Sequence, residues 1–299
     1  MHHILSIAVI YFFIIIGYIA KSKIGSELNE RGIVKLNIYF LLPMLAFWGF
    51  MSKKIDFGIV KIPLLYLCIT FLAFIISLFV AKKLFKDKKE ISIVSLASVT
   101  GITGSIGIPL GITLFSQDTV IYTTFINTVS MIFVYTVGVY IYSRGSYGIL
   151  KSFKNVFKMP IIWASFIAVT LNILNISINP SISKALQMGA YASIVLQLVI
   201  FGIFLQQSKI SELNSKIAFS VLSLKFVMIP LLALLVLHFF KLKPIELNSL
   251  FLELIVPLAI TNISLASLFD CKPKTVTSLV FISSIIFVPY AIVLISLLH

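Results

Sequence analysis

The segment "TGITGSIGIPLG", residues 100–111, lies inside a long apolar run yet holds four glycines, two threonines, a serine and a proline. Residues that break or polarise a helix are costly in a lipid-facing segment, because backbone groups there need partners inside the protein. The chain around it is that apolar throughout. Of 299 residues 60% are hydrophobic and 11% charged, and the mean hydropathy is +1.10, values that set it apart from soluble domains.

A helix crosses the hydrocarbon core with about 20 apolar residues. Ten such runs are predicted, near 3–20, 31–51, 59–81, 91–115, 119–142, 160–178, 185–206, 217–240, 247–269 and 276–298. The links are short, so the whole chain, 1–299, reads as one transmembrane domain. Runs such as "IYFFIIIGYIA" are apolar on every face, which excludes the alternating strands of a membrane barrel. The first run is followed by "KSKIGSE" instead of a small-residue cleavage site and reads as a retained helix.

The net charge of +14 would suggest nucleic acid in a soluble protein. Here the basic residues sit in the links, where they orient the chain and meet anionic lipid head groups, so no nucleic-acid partner is expected. The odd-numbered links carry 16 Lys and Arg and the even-numbered ones 6. Cytoplasmic loops retain these residues, which puts both termini outside the cytoplasmic membrane. Lys35 lies close enough to a helix end to snorkel. Lys225 is deeper, about 13 Å into its helix, and Glu253 lies about 10 Å into another from the opposite side. A pair of buried charges, a lysine that caps free carbonyls, or a role in substrate or proton coupling all fit that placement. Cys68, Cys271 and the four histidines have no metal-site or disulfide spacing, and no metal or cofactor is expected.

The basic link "SRGSYGILKSFKNVFKMP" divides the chain into two five-helix halves, 1–145 and 155–299. An odd-numbered unit repeated in one chain inserts the second time upside down, as in inverted-repeat transporters. The fourth run of the second half, "ELIVPLAITNISLA" at 253–266, also has a mid-run proline followed by hydroxyl and amide side chains. Pro109 cannot donate to Ser105, nor Pro257 to Glu253, so each is expected to free backbone groups at membrane depth. The spacing of Gly101, Gly104, Gly107 and Gly111 also fits plain close packing of a neighbouring helix, and Pro43, Pro63, Pro230 and Pro289 read as ordinary kinks. The candidate site comprises Thr103, Gly104, Ser105, Gly107, Pro109, Asn127, Pro257, Thr261 and Asn262, with Lys225 and Glu253 as charge-coupling residues.

"LNIYFLLPMLAF" (36–47), "TGSIGIPL" (103–110), "LKFVMIPLLALL" (224–235) and "VPLAITNISLA" (256–266) together resemble segments of the auxin efflux carrier family, in order and over nearly the whole chain. The resemblance implies an all-α membrane protein of ten helices, with broken helices four and nine crossing at their prolines. It also implies an elevator-like slide of helices 3–5 and 8–10 against 1, 2, 6 and 7. The family's Asn before the Thr-Gly of helix four is Ile102 here, so one direct substrate amide is missing.

The expected function is secondary transport of a small organic anion, such as a carboxylate, by alternating access. A membrane sensor or passive channel with the same fold is the alternative. No Walker segment is present to use ATP, and the predicted helices hold no acid pair, dyad or metal cluster for an intramembrane enzyme. A coupling ion, H+ or Na+, and a homodimer are left open.

Overall fold

The computed structural model describes residues 2–298 except 52–53, 55–56, 117, 148 and 208–212. Lys53, Lys209 and His299 therefore lie outside the described residues. The described chain is helical: α1 (His2–Ile24), α2 (Glu30–Leu36), α3 (Leu42–Met51), α4 (Phe57–Leu84), α5 (Lys88–Ala97), α6 (Ile108–Leu114), α7 (Thr119–Phe133) and α8 (Val139–Arg144). There follow α9 (Ile149–Phe157), α10 (Pro160–Ile173), α11 (Pro180–Gln207), α12 (Ser215–Ser223), α13 (Ile229–Leu237), α14 (Pro244–Ile255), α15 (Thr261–Leu268) and α16 (Pro273–Leu298). Among the described residues the extended pairing is a single antiparallel bridge, Gly101 with Leu258.

Five segments are long and apolar enough to cross a membrane: Glu30–Met51, Val60–Leu84, Ile121–Arg144, Pro180–Gln207 and Ser215–Leu237. The pair α9–α10, bent by 49°, would make a sixth. Large apolar side chains such as Phe71, Phe79, Phe166, Phe219 and Leu231 are exposed on the outside of the bundle. That is the surface a lipid solvent requires and water penalises.

The runs expected at 91–115 and 247–269 do not form continuous helices. Each divides into two short pieces, α5 with α6 and α14 with α15.

Three prolines share one local solution. Pro43, Pro109 and Pro230 each stand second in an α-helix that follows a five-residue π turn, at Asn37–Leu41, Thr103–Gly107 and Leu224–Met228. In a regular α-helix a proline ring would strike the carbonyl four residues back, and in each case that residue lies in the wider turn. At Pro230 that carbonyl, Phe226 O, accepts from the Tyr290 hydroxyl at 2.7 Å.

The expectation that set Pro109 apart from Pro43 and Pro230 is thereby corrected. The break in its run lies upstream, at 98–102, where Val99, Thr100 and Gly101 have weak helix propensity. Pro257, by contrast, stands in the break itself, between α14 and α15.

Polar contacts bring the odd-numbered links to one face. Arg31 and Lys89 pair with Asp270 at 3.0 and 3.7 Å, and Lys272 pairs with Asp87 at 2.6 Å and Glu90 at 2.8 Å. On the same face Ser146 Oγ donates to Phe269 O at 2.7 Å, and Lys216 Nζ to Leu84 O at 2.7 Å. Elsewhere, Lys61 pairs with Glu246 at 2.9 Å, and Asn172 donates to Phe50 O at 2.7 Å.

Candidate functional site

The two breaks meet. Ile102 N–H donates to Pro257 O at 2.9 Å and Ala259 N–H to Thr100 O at 3.1 Å, which closes the bridge at Gly101 and Leu258. The Leu258 N–H donates to Ser283 Oγ at 3.1 Å. The backbone groups freed at the crossing itself, Pro257 O, Thr100 O and the amides of Ile102, Leu258 and Ala259, thus find partners inside the protein. Each break supplies partners for the other, because an unpaired buried amide or carbonyl costs about 1–3 kcal/mol.

Asn262 is part of this clamp. Its amide donates to Thr100 Oγ1 at 2.8 Å and Ala259 O at 3.0 Å, and its Oδ1 accepts from the Tyr142 hydroxyl at 3.3 Å. A side chain engaged at three points, with no exposure to solvent, holds the crossing in register.

The glycines of 100–111 each give close approach to a different part of the surrounding structure. A Cβ on Gly101 would meet Val256 Cγ2 at 2.6 Å and Lys225 Nζ at 3.3 Å, and one on Gly104 would meet Asn127 Oδ1 at 2.9 Å. At Gly107 it would fall on the Glu253 carboxylate, and at Gly111 it would press Thr119 Oγ1 at 3.1 Å. Close packing and polar chemistry, which the spacing left as alternatives, coincide here: a polar side chain lies nearest at Gly104, Gly107 and Gly111, and Lys225 stands beside Gly101.

A cavity of about 440 Å³ opens beside the crossing. One wall is Gly101–Gly104 together with Ala259, Ile260 and Thr261; α7 and the turn after it add Thr124, Asn127, Thr128, Ser130 and Tyr135. The facing wall comes from α3, with Trp48, and from α11, with Tyr191 and Gln197. Thr103 Oγ1 donates to Asn127 Oδ1 at 2.8 Å, and Trp48 and Tyr191 meet edge to face at 5.6 Å. Among the described lining residues none is Asp, Glu, Lys, Arg or His.

Of the expected site residues, the cavity gathers Thr103, Gly104, Asn127 and Thr261. It does not gather Gly107, Pro257, Asn262, Lys225 or Glu253. The side chains of Ser105 and Pro109 lie outside the described residues. Sequence reasoning missed Trp48, Tyr191 and Gln197, which arrive from helices remote in the chain. Thr124 and Thr128 left a signal, since 124, 127, 128 and 131 line one helical face of an apolar run.

Lys225 and Glu253 are 1% and 0% exposed. Among the described residues no ion pair joins them. Lys225 instead donates to Leu254 O at 3.0 Å, an orphan carbonyl at the end of α14. That is the carbonyl-capping arrangement of the three that the sequence allowed. The ammonium stands directly behind Gly101, a wall residue of the cavity.

A family model described as membrane transport protein matches residues 2–295. An uncharacterized transporter of Methanocaldococcus jannaschii is 25% identical over 293 residues, covering 93% of this chain and 93% of that protein. The match runs through both broken segments and every wall of the cavity, and the chain belongs to the membrane transport protein family, the auxin efflux carrier family.

Proposed function

We propose that this chain is a secondary transporter that moves a small organic anion, such as a carboxylate, across the cytoplasmic membrane by alternating access. The observation that carries the reading is the cavity of about 440 Å³ at the crossing, a volume within the range of small-molecule sites. The N-terminal end of α15 and that of the π turn leading into α6 both begin at its wall. Helix N-termini carry partial positive charge, which favours an anion. The Lys225 ammonium adds a full charge behind Gly101. The Trp48–Tyr191 pair gives the uncharged body of such an anion an apolar surface.

In this reading the chain is two inverted five-helix repeats, 1–145 and 155–299, with both termini outside. The gathering of the odd-numbered links on one face supports it. The cavity lies between α3 and α11 on one side and the crossing with α7 on the other, so sliding the second group along the first would carry the site between the two membrane faces.

The test is a thermal-shift screen of purified protein against mono- and dicarboxylates, followed by counterflow in proteoliposomes with a radiolabelled hit. A native-state ligand raises the melting temperature, and a carrier exchanges labelled for unlabelled ligand. Downhill flux without counterflow would make the protein a passive channel, and binding without flux would make it a sensor. No binding by any carboxylate would refute the anion reading.

A further inference from the structure

Glu253 is fully buried, and neither of its carboxylate oxygens has a hydrogen-bond partner. It sits against Gly107, and its helix α14 packs on α4, α7, α13 and the π turn Thr103–Gly107. Among the described residues, the charged and titratable groups that face it are Lys225, from the π turn before α13, and Tyr66, from α4. Neither donates to it. Lys225 Nζ donates a hydrogen bond to Leu254 O at 3.0 Å, and the Tyr66 hydroxyl donates one to Ser130 Oγ at 3.2 Å. No titratable side chain of α7 or of the turn Thr103–Gly107 acts on it among the described residues.

An ionised carboxylate placed inside a protein without donors costs several kcal/mol, whereas a neutral carboxylic acid does not carry that penalty. The same arrangement leaves the Lys225 ammonium without a paired anion, although a buried charge in a membrane protein is ordinarily paired. Both features follow from one assignment.

We propose that Glu253 holds an exchangeable proton, and that this proton binds together with the transported anion. The proposal rests on the reading of the cavity as an anion site. With Glu253 as the neutral acid, Lys225 leaves one net positive charge beside the cavity, and a bound monoanion brings the total to zero. When the O–H bond of the acid breaks, the proton passes to water on the side the site then faces, and the carboxylate cancels the ammonium. The anion then loses its counter-charge and leaves. Each ligand favours the other by the same factor, and one proton accompanies one negative charge.

The test begins with infrared difference spectroscopy on the full-length protein in nanodiscs, titrated with acid and base and with no carboxylate added. The expected result is the C=O stretch of a protonated carboxylic acid at neutral pH, absent from Glu253→Gln. No such band in the wild type at neutral pH, or the same band in Glu253→Gln, overturns the proposal. The wild-type titration decides this even where the variant fails to fold. Loss of the band on adding NaCl but not choline chloride also overturns it, in favour of a sodium site.

The second arm measures binding of butyrate, hexanoate and succinate by calorimetry. Above the pH at which the proton leaves, wild-type affinity falls about tenfold per pH unit, while Glu253→Gln binds independently of pH. A flat wild-type profile overturns the coupling. If none of the three binds either protein while the infrared band is present, the anion reading falls and the coupling with it, and the proton on Glu253 stands.

Discussion

Replacing Gly101 by alanine tests the crossing at its tightest point. The new Cβ would stand 2.6 Å from Val256 Cγ2 and 3.3 Å from both Val256 O and Lys225 Nζ. Carbon atoms pack at about 3.5–4.0 Å, so the two breaks must part by about 1 Å. Val256 cannot swing away, because it is β-branched and has no exposed surface. Overpacking of this kind costs about 1–3 kcal/mol. Parting also stretches the bonds from Ile102 N to Pro257 O, now 2.9 Å, and from Ala259 N to Thr100 O, now 3.1 Å. Weakening two such bonds brings the total to about 2–4 kcal/mol. In thermal unfolding of the detergent-purified protein this appears as a melting temperature lower by on the order of 5–15 °C. The control is Val256→Ala, which removes the obstructing methyl group. In that background Gly101→Ala should cost under about 1 kcal/mol, which leaves an interaction energy of about 1–3 kcal/mol in the double-mutant cycle. An equal cost of Gly101→Ala in both backgrounds would refute the argument, as would an unchanged melting temperature.

Lys225→Met should weaken binding of any carboxylate found in the screen by at least about tenfold, with Lys225→Arg retaining part of it; calorimetry reads both. Asn127→Ala removes the acceptor of Thr103 from the cavity wall and should cost affinity by about tenfold with little change in melting temperature. Asn262→Leu should do the reverse: its three hydrogen bonds hold the crossing, so stability drops by about 2–4 kcal/mol, measured by thermal unfolding. In the links, the Lys272 hydrogen bond holds the Asp87 carboxyl below the usual carboxylate range. A lowered folded value gives stability that is complete above the unfolded value of about 3.9 and is lost as pH falls through the folded one. Lys272→Met should therefore lower stability at neutral pH and flatten its fall in acid, and superimposable acid-unfolding curves would refute the pairing.

The local consequences of the chain were legible in its sequence. Long apolar runs demand helices in lipid, since no other open segment satisfies its own backbone there. Glycine with β-branched neighbours at 99–101 and proline at 257 stop two of those helices wherever their partners lie. The four glycines at three- and four-residue spacing announced close approach along one helical face. What approached each of them was decided only by the tertiary structure. Asn262 read as a ligand and became a clamp, because Thr100, 162 residues away, arrives to occupy its amide. Pro109 read as a break and became a π-turn proline, because the chain had already parted at 98–102. Lys225 and Glu253 could have met at their shared depth, yet the released carbonyl of Leu254 takes the ammonium and leaves the carboxylate without a donor. Trp48 and Tyr191 carry no local sign of a site at all. Helix formation and its failure are governed by the few residues on either side, so they can be read along the chain. The partner of a freed carbonyl, or the far wall of a cavity, depends on other segments, 29 residues away for Leu254 and Lys225 and 162 for Asn262 and Thr100, and those are brought together only by packing.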